Sequence, residues 1–184
     1  MIVKLIATPE DHQIAKRAAL AIGLSVAEAA IPSPLPGVKP GLANIITLLV
    51  LQRYGLRAAI WVSLLRVVAG SLIWGTFLSP SFVLSFSGAI LSLAALALTR
   101  FLPSSLFGPV SHSIVASFAH ITGQLIMVYL WLIPHAGLAY LIPVFATAAL
   151  FFGTINGLIS AKLIALESTA AHTPLENHKA SCTL

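Results

Sequence analysis

Residues 40–76 read PGLANIITLLVLQRYGLRAAIWVSLLRVVAGSLIWGT, two apolar runs parted by a polar stretch that carries Arg53 and Arg57. A hydrocarbon core about 30 Å thick takes roughly 20 helical residues per crossing. The run from about Leu56 to Thr76 meets that length, whereas Pro40 to Gln52 falls short of it. Whether the short run crosses decides the topology of the whole chain. If it crosses, there are six segments: about Ile14–Ile31, Pro40–Gln52, Leu56–Thr76, Pro80–Arg100, Leu106–Ile133 and Leu138–Leu166. Lys4, Lys16, Arg17, Arg53, Arg57, Arg100, Lys162 and Lys179 then lie on one face and only Lys39 on the other. If it does not cross, that asymmetry collapses. Basic residues gather on the cytoplasmic side, so the sequence predicts six crossings with both ends in the cytoplasm. A short helix can span by local thinning of the bilayer or by extending into the Val38-Lys39 stretch.

Composition points the same way. The 184 residues are 58% hydrophobic and 8% charged, with a mean hydropathy of +0.99. That leaves too few polar side chains to coat a water-facing globule. The expected fold class is an all-α membrane protein, a six-transmembrane-helix bundle in the inner membrane. Residues 1–13 form a cytoplasmic lead, 14–166 the transmembrane domain and 167–184 a flexible polar tail. A cleavable signal peptide is the competing reading of the N-terminus, because Lys16 and Arg17 precede an apolar run and Ala27-Glu28-Ala29 resembles a cleavage site. The long lead before Lys16 and the acid within the site argue against it. The net charge of +5 does not indicate nucleic acid, since the basic residues stand singly at the ends of apolar runs. Cys182 is the single cysteine, which rules out a disulfide framework or a Cys-based metal site within one chain.

Several residues invite a functional reading. Arg66 is nine positions past Arg57, roughly 13 Å into the bilayer, where it needs a partner or a wet cavity. Glu28 is the carboxylate set deep in an apolar segment. An Arg66–Glu28 pair that fastens two helices and an Arg66 that lines a ligand cavity are both open, and the two are compatible. Ser113, Ser117, His120 and Gln124 follow spacings of four, three and four, which puts them on one helix face. His120 and Gln124 read as hydrogen-bonding groups into a cavity, and no metal site is expected. Asn44 and Asn156 are further candidates, Asn156 the weaker because it falls toward the cytoplasmic half. The proline-rich stretch 31–41 carries Lys39 and suits a connector or a lid over the outer mouth. Ala15, Ala19, Gly23 and Ala27 recur every four positions, a small-residue strip that fits close helix packing inside the chain or against another subunit. Gly153 and Gly157 repeat the spacing, where internal packing is the better account. No P-loop sequence is present, and Asp11 is the sole aspartate. Paired aspartate-rich Mg²⁺ motifs are therefore excluded.

The stretches 36–45 (PGVKPGLANI), Ser63-Leu-Leu-Arg66 with Gly70-Ser71, 75–80 (GTFLSP) and Ala119-His120 with Gly123-Gln124 resemble the Gx transporter family, often labelled heptaprenyl diphosphate synthase component I. The likeness covers roughly residues 14–166. Ile121 stands where the family pattern commonly has Asn. The family is similar in size and topology to the S components of energy-coupling factor transporters. That resemblance implies a small-molecule site near the outer face, capped by the loop between the first two helices; Arg66, Glu28, His120, Gln124, Asn44 and Lys39 are the residues expected to line it, and no cofactor is expected. It also implies docking of Ala15, Ala19, Gly23 and Ala27 on a transmembrane coupling subunit, with ATPase subunits as separate chains. The expected role is binding for uptake rather than catalysis. The alternative is a noncatalytic accessory subunit in polyprenyl diphosphate or quinone biosynthesis.

Overall fold

The computed structural model describes residues 8–30, 41–99 and 108–172. Among them every regular element is helical: α1 (Pro9–Ala30), α2 (Leu42–Ile73), α3 (Pro80–Thr99), α4 (Pro109–Met127) and α5 (Ile142–His172). A π-helical turn, Val128–Leu132, prolongs α4, and a 3₁₀ segment, Ala136–Leu141, leads into α5. The spans Leu42–Ile73, Pro80–Thr99, Pro109–Leu132 and Ala136–Thr169 are long and apolar enough to cross a membrane. α1 falls outside that set because Lys16, Arg17 and Glu28 interrupt its apolar course. Its first turn is closed by a reciprocal cap in which Asp11 Oδ2 accepts from the Thr8 amide at 2.9 Å and the Thr8 hydroxyl at 2.7 Å. These bonds hold the Asp11 carboxyl below the usual range, because they favour its charged form.

α2 is not one straight rod. Gly55 has φ 80 and ψ −178, a conformation open essentially to glycine alone, and it divides the helix into two arms. The arms run in opposite senses along α1. On the first arm, Gly41 and Leu42 meet Glu28 while Tyr54 lies under the Arg17 guanidinium, 5.6 Å from ring centroid to Cζ. On the second arm, Gly70 approaches Ser25, whose Oγ lies 3.3 Å from where a Gly70 Cβ would stand. The first arm is thus antiparallel to α1 and the second parallel to it. Ala18 and Ala21 of α1 pack with Ile45, Ile46, Leu49 and Val50 from one arm and Ala58, Ala59 and Val62 from the other.

The remaining helices join through near-contacts of backbone. A Cβ on Gly157 would lie 2.7 Å from Val110 Cα, and one on Gly153 3.1 Å from Ile114 Cα, so α4 and α5 touch along the Gly153/Gly157 face. A Cβ on Gly123 would stand 2.8 Å from the Ser87 carbonyl oxygen, which brings α3 equally close to α4. Leu48, Leu96 and Ala116 form a second core where the first arm of α2 meets α3 and α4.

The two ends of the bundle differ in chemistry. At one end Glu167 bonds Arg17 at 2.9 Å and Arg53 at 3.3 Å, with Lys16, Arg57 and Lys162 exposed nearby in sequence. At the other, Trp74, Phe77, Tyr129, Trp131 and Tyr140 are exposed, as aromatic side chains are at a membrane–water boundary. Two expectations are revised here. α1 begins at Pro9 rather than near Ile14, because Thr8 and Asp11 cap it. α5 continues through His172 rather than ending at Leu166, with Glu167 held by two arginines from other helices.

The glycines should respond differently to a methyl group. Gly157→Ala forces two backbones apart and should cost about 1–3 kcal/mol, and Gly55→Ala should cost about 1–3 kcal/mol through backbone strain. Gly23, with nothing within 4 Å of its Cβ position, should accept alanine without loss. Thermal unfolding of the three variants in detergent checks the order.

Candidate functional site

The centre of interest is the beginning of α2. Gly41 adopts a left-handed conformation, φ 73 and ψ 29, at which a Cβ would lie 3.2 Å from both the Asn44 and Asn156 side-chain amides. Only glycine serves here, for conformation and for space. The Gly41 and Leu42 amides both donate to Glu28 Oε1, the latter at 3.1 Å. Asn156 Nδ2 donates to the Gly41 carbonyl at 3.3 Å, and the backbone N–H of Asn44 does so at 2.8 Å. Glu28 is 5% exposed and Asn156 2%.

This knot lies deep. Along α1 from Arg17 to Glu28, and along α5 from Glu167 to Asn156, the rise is about three helical turns, roughly 16 Å. Both paths start at the same ion-pair layer and end at Gly41. The start of α2 is therefore about half a hydrocarbon thickness above the charged end.

Arg66 adjoins the knot. It is 7% exposed and interacts electrostatically with Glu28 and with His120. Neither ion pair found among the described residues includes it, and its Nε is buried without a hydrogen-bond partner. The sequence left a direct Arg66–Glu28 pair open; Glu28 is instead occupied by two backbone donors. His120 packs on Gly88, where a Cβ would come within 2.9 Å of its ring. Gln124 Nε2 lies 3.2 Å from His120 Nε2. With the amide donating, neutral His120 carries its proton on Nδ1, a buried nitrogen turned toward the Gly88 backbone.

Of the six residues expected to bind ligand, Glu28 and Asn44 meet at Gly41, His120 and Gln124 form a second pair, and Arg66 is coupled to both groups. Lys39 lies outside the described residues, as does most of the stretch 31–41. Asn156 was undervalued: it reaches Gly41 at the level of Glu28, not near the charged end. Its signal was a lone amide inside an apolar helix between Gly153 and Gly157, but its depth depends on how far α5 extends below the bundle. Ser113 and Ser117 pack against Gly157 and Gly153, so the polar stripe of α4 serves helix contact at one end and His120 at the other. Among the described residues no three His, Cys, Asp or Glu side chains gather as metal ligands would. Ala15, Ala19, Gly23 and Ala27 are all exposed, and Ala19 and Gly23 line a shallow apolar hollow with Lys16, Leu20 and Leu24.

Long apolar helices closed over a buried arginine, a glutamate and an asparagine define a multi-pass α-helical membrane protein with a polar interior. The chain belongs to the heptaprenyl diphosphate synthase component I family, which matches residues 18–163. No curated protein and no solved structure shows a significant match.

Gly41→Ala should lower stability by about 1–2 kcal/mol through its left-handed backbone. Adding Asn44→Ala should recover part of that loss by removing one crowding amide, a non-additivity read from the unfolding of the two single variants and the double variant.

Proposed function

We propose that this chain is a membrane-embedded, small-molecule-binding subunit for uptake, comparable to the S component of an energy-coupling factor transporter. In this reading it crosses the inner membrane six times with both termini in the cytoplasm, the two arms of α2 counting as separate crossings. As one straight helix, the 32 residues of α2 would measure roughly 48 Å, far more than the hydrocarbon core, and the break at Gly55 beside Arg53 and Arg57 supports two arms. The observation that carries the binding role is Arg66. Holding a guanidinium this deep costs at least about 2.5 kcal/mol, and packing alone does not require it. Arg66 is coupled to Glu28, which Asn44 joins at Gly41, and to His120, which Gln124 joins; with Lys39 toward the mouth, an anionic small molecule is the ligand that this set suits.

The exposed strip Ala15, Ala19, Gly23 and Ala27 supports a partner surface for a transmembrane coupling subunit, with ATPase subunits as separate chains. The family's description as component I favours a second reading, a noncatalytic membrane partner in polyprenyl diphosphate or quinone biosynthesis. Under both readings the chain has no catalytic site of its own, and its sole aspartate is engaged in capping α1.

Two experiments test this. In a Cys182-free background, cysteines at Leu78 and Tyr140 should be labelled by a membrane-impermeant reagent from outside, and cysteines at Leu56 and Lys162 should not; labelling of Leu56 from outside would reject six crossings. Ala19→Leu or Gly23→Leu should leave the isolated protein folded and abolish uptake or assembly with a coupling subunit, because added volume blocks close helix approach. Unchanged uptake and assembly in both variants would remove the strip from the interface.

A further inference from the structure

The knot at Gly41 is more than a fastening. A helix N-terminus presents unpaired amides and about half a positive charge, and α2 begins inside the bundle rather than in water. Glu28 answers with one oxygen: both amide bonds fall on Oε1. Arg66 adds a full positive charge coupled to that carboxylate. The helix end and Arg66 together amount to roughly +1.5 charges, of which a single carboxylate offsets one. Arg66 also keeps a buried donor, Nε, without a partner, although a guanidinium is shaped to hold two oxygens at once. Asn44 and Gln124, at the edge of this region, are half-buried rather than enclosed.

We infer that the N-terminus of α2 and the Arg66 guanidinium form one oxyanion-binding pocket in which Glu28 is an internal occupant, exchanged for a carboxylate or phosphate group of the ligand. This rests on the site described under the proposed function and deepens it, since it assigns the ligand's anionic group to a definite set of donors. The incoming group takes the Gly41 and Leu42 amides that Glu28 holds and engages the Arg66 fork that Glu28 does not close. Glu28 is then a competitor, so removing it should strengthen anion binding, the reverse of what a ligand-contacting residue would show.

Chemical rescue of the full chain in mild detergent tests this. Glu28→Ala should lower the melting temperature, and acetate or inorganic phosphate should restore it. The rescue should need about tenfold less anion than any stabilisation of the wild type, while chloride at matched ionic strength should not rescue. Adding Arg66→Met should abolish the rescue. Should Glu28→Ala fail to fold, Glu28→Gln, which keeps an acceptor without the charge, takes its place, with phosphate expected to stabilise it at lower concentration than the wild type. Phosphatidylglycerol added to the micelles separates the sources: rescue by this lipid where free phosphate fails keeps the pocket and makes its oxyanion a headgroup. Rescue by chloride, rescue that survives Arg66→Met, or no rescue by any of these anions overturns the inference. None of those failures touches uptake, which the strip variants test separately.

Discussion

A backbone that starts a helix inside a membrane must find acceptors for its first amides within the protein, because lipid offers none. In this chain the requirement falls on Gly41 and Leu42, and Glu28 meets it from α1. Much follows from that bond. It ties the end of α1 to the start of α2, so the first arm must run back along α1 toward the charged end. It gives a buried carboxylate two donors, which is what allows a charge to stay in the interior. It also explains why Glu28 does not pair directly with Arg66, and hence why an arginine donor remains unmatched.

The second constraint is closeness. Lipid supplies no hydrophobic drive between helices, so contact has to come from shape. Gly123, Gly153 and Gly157 let α3, α4 and α5 approach until a single added carbon would touch backbone. Glu167 closes the charged end by bonding Arg17 and Arg53 together. Between that ion-pair layer and the Gly41 knot, α1 and the first arm of α2 are held at both ends. Among the described residues the small strip of α1 is exposed, although the same residue type packs inside elsewhere.

Legibility differed by the range of the interaction. The apolar runs read as helices because period and length are local properties, but the second and third runs form one element, α2, bent at Gly55, and α1 and α5 pass their expected ends. There a cap at Thr8 and an ion pair at Glu167 extend α1 and α5. Arg66 stood out because a charge deep in an apolar run is expensive wherever the run folds. The partner of Glu28 was not legible, since backbone amides look alike in sequence and nothing marks those of Gly41 and Leu42 as unpaired. Asn156 lies deeper than expected because the sequence ruler puts the membrane boundary near Leu166, whereas α5 continues past the start of α4.

The sequence by itself determined that this chain is a helical membrane protein, that Lys16, Arg17, Arg53, Arg57 and Lys162 belong to one end of its helices, and that a charged residue lies within its interior. These are consequences of composition and of spacing along one helix, each settled within a few turns of chain. Only the tertiary structure decided which donors Glu28 serves, that α2 turns back on itself at Gly55, and that Asn156 meets Gly41. Those outcomes depend on the heights at which separate helices cross, a quantity set by contacts between glycines and their opposing backbones rather than by any stretch of sequence read alone.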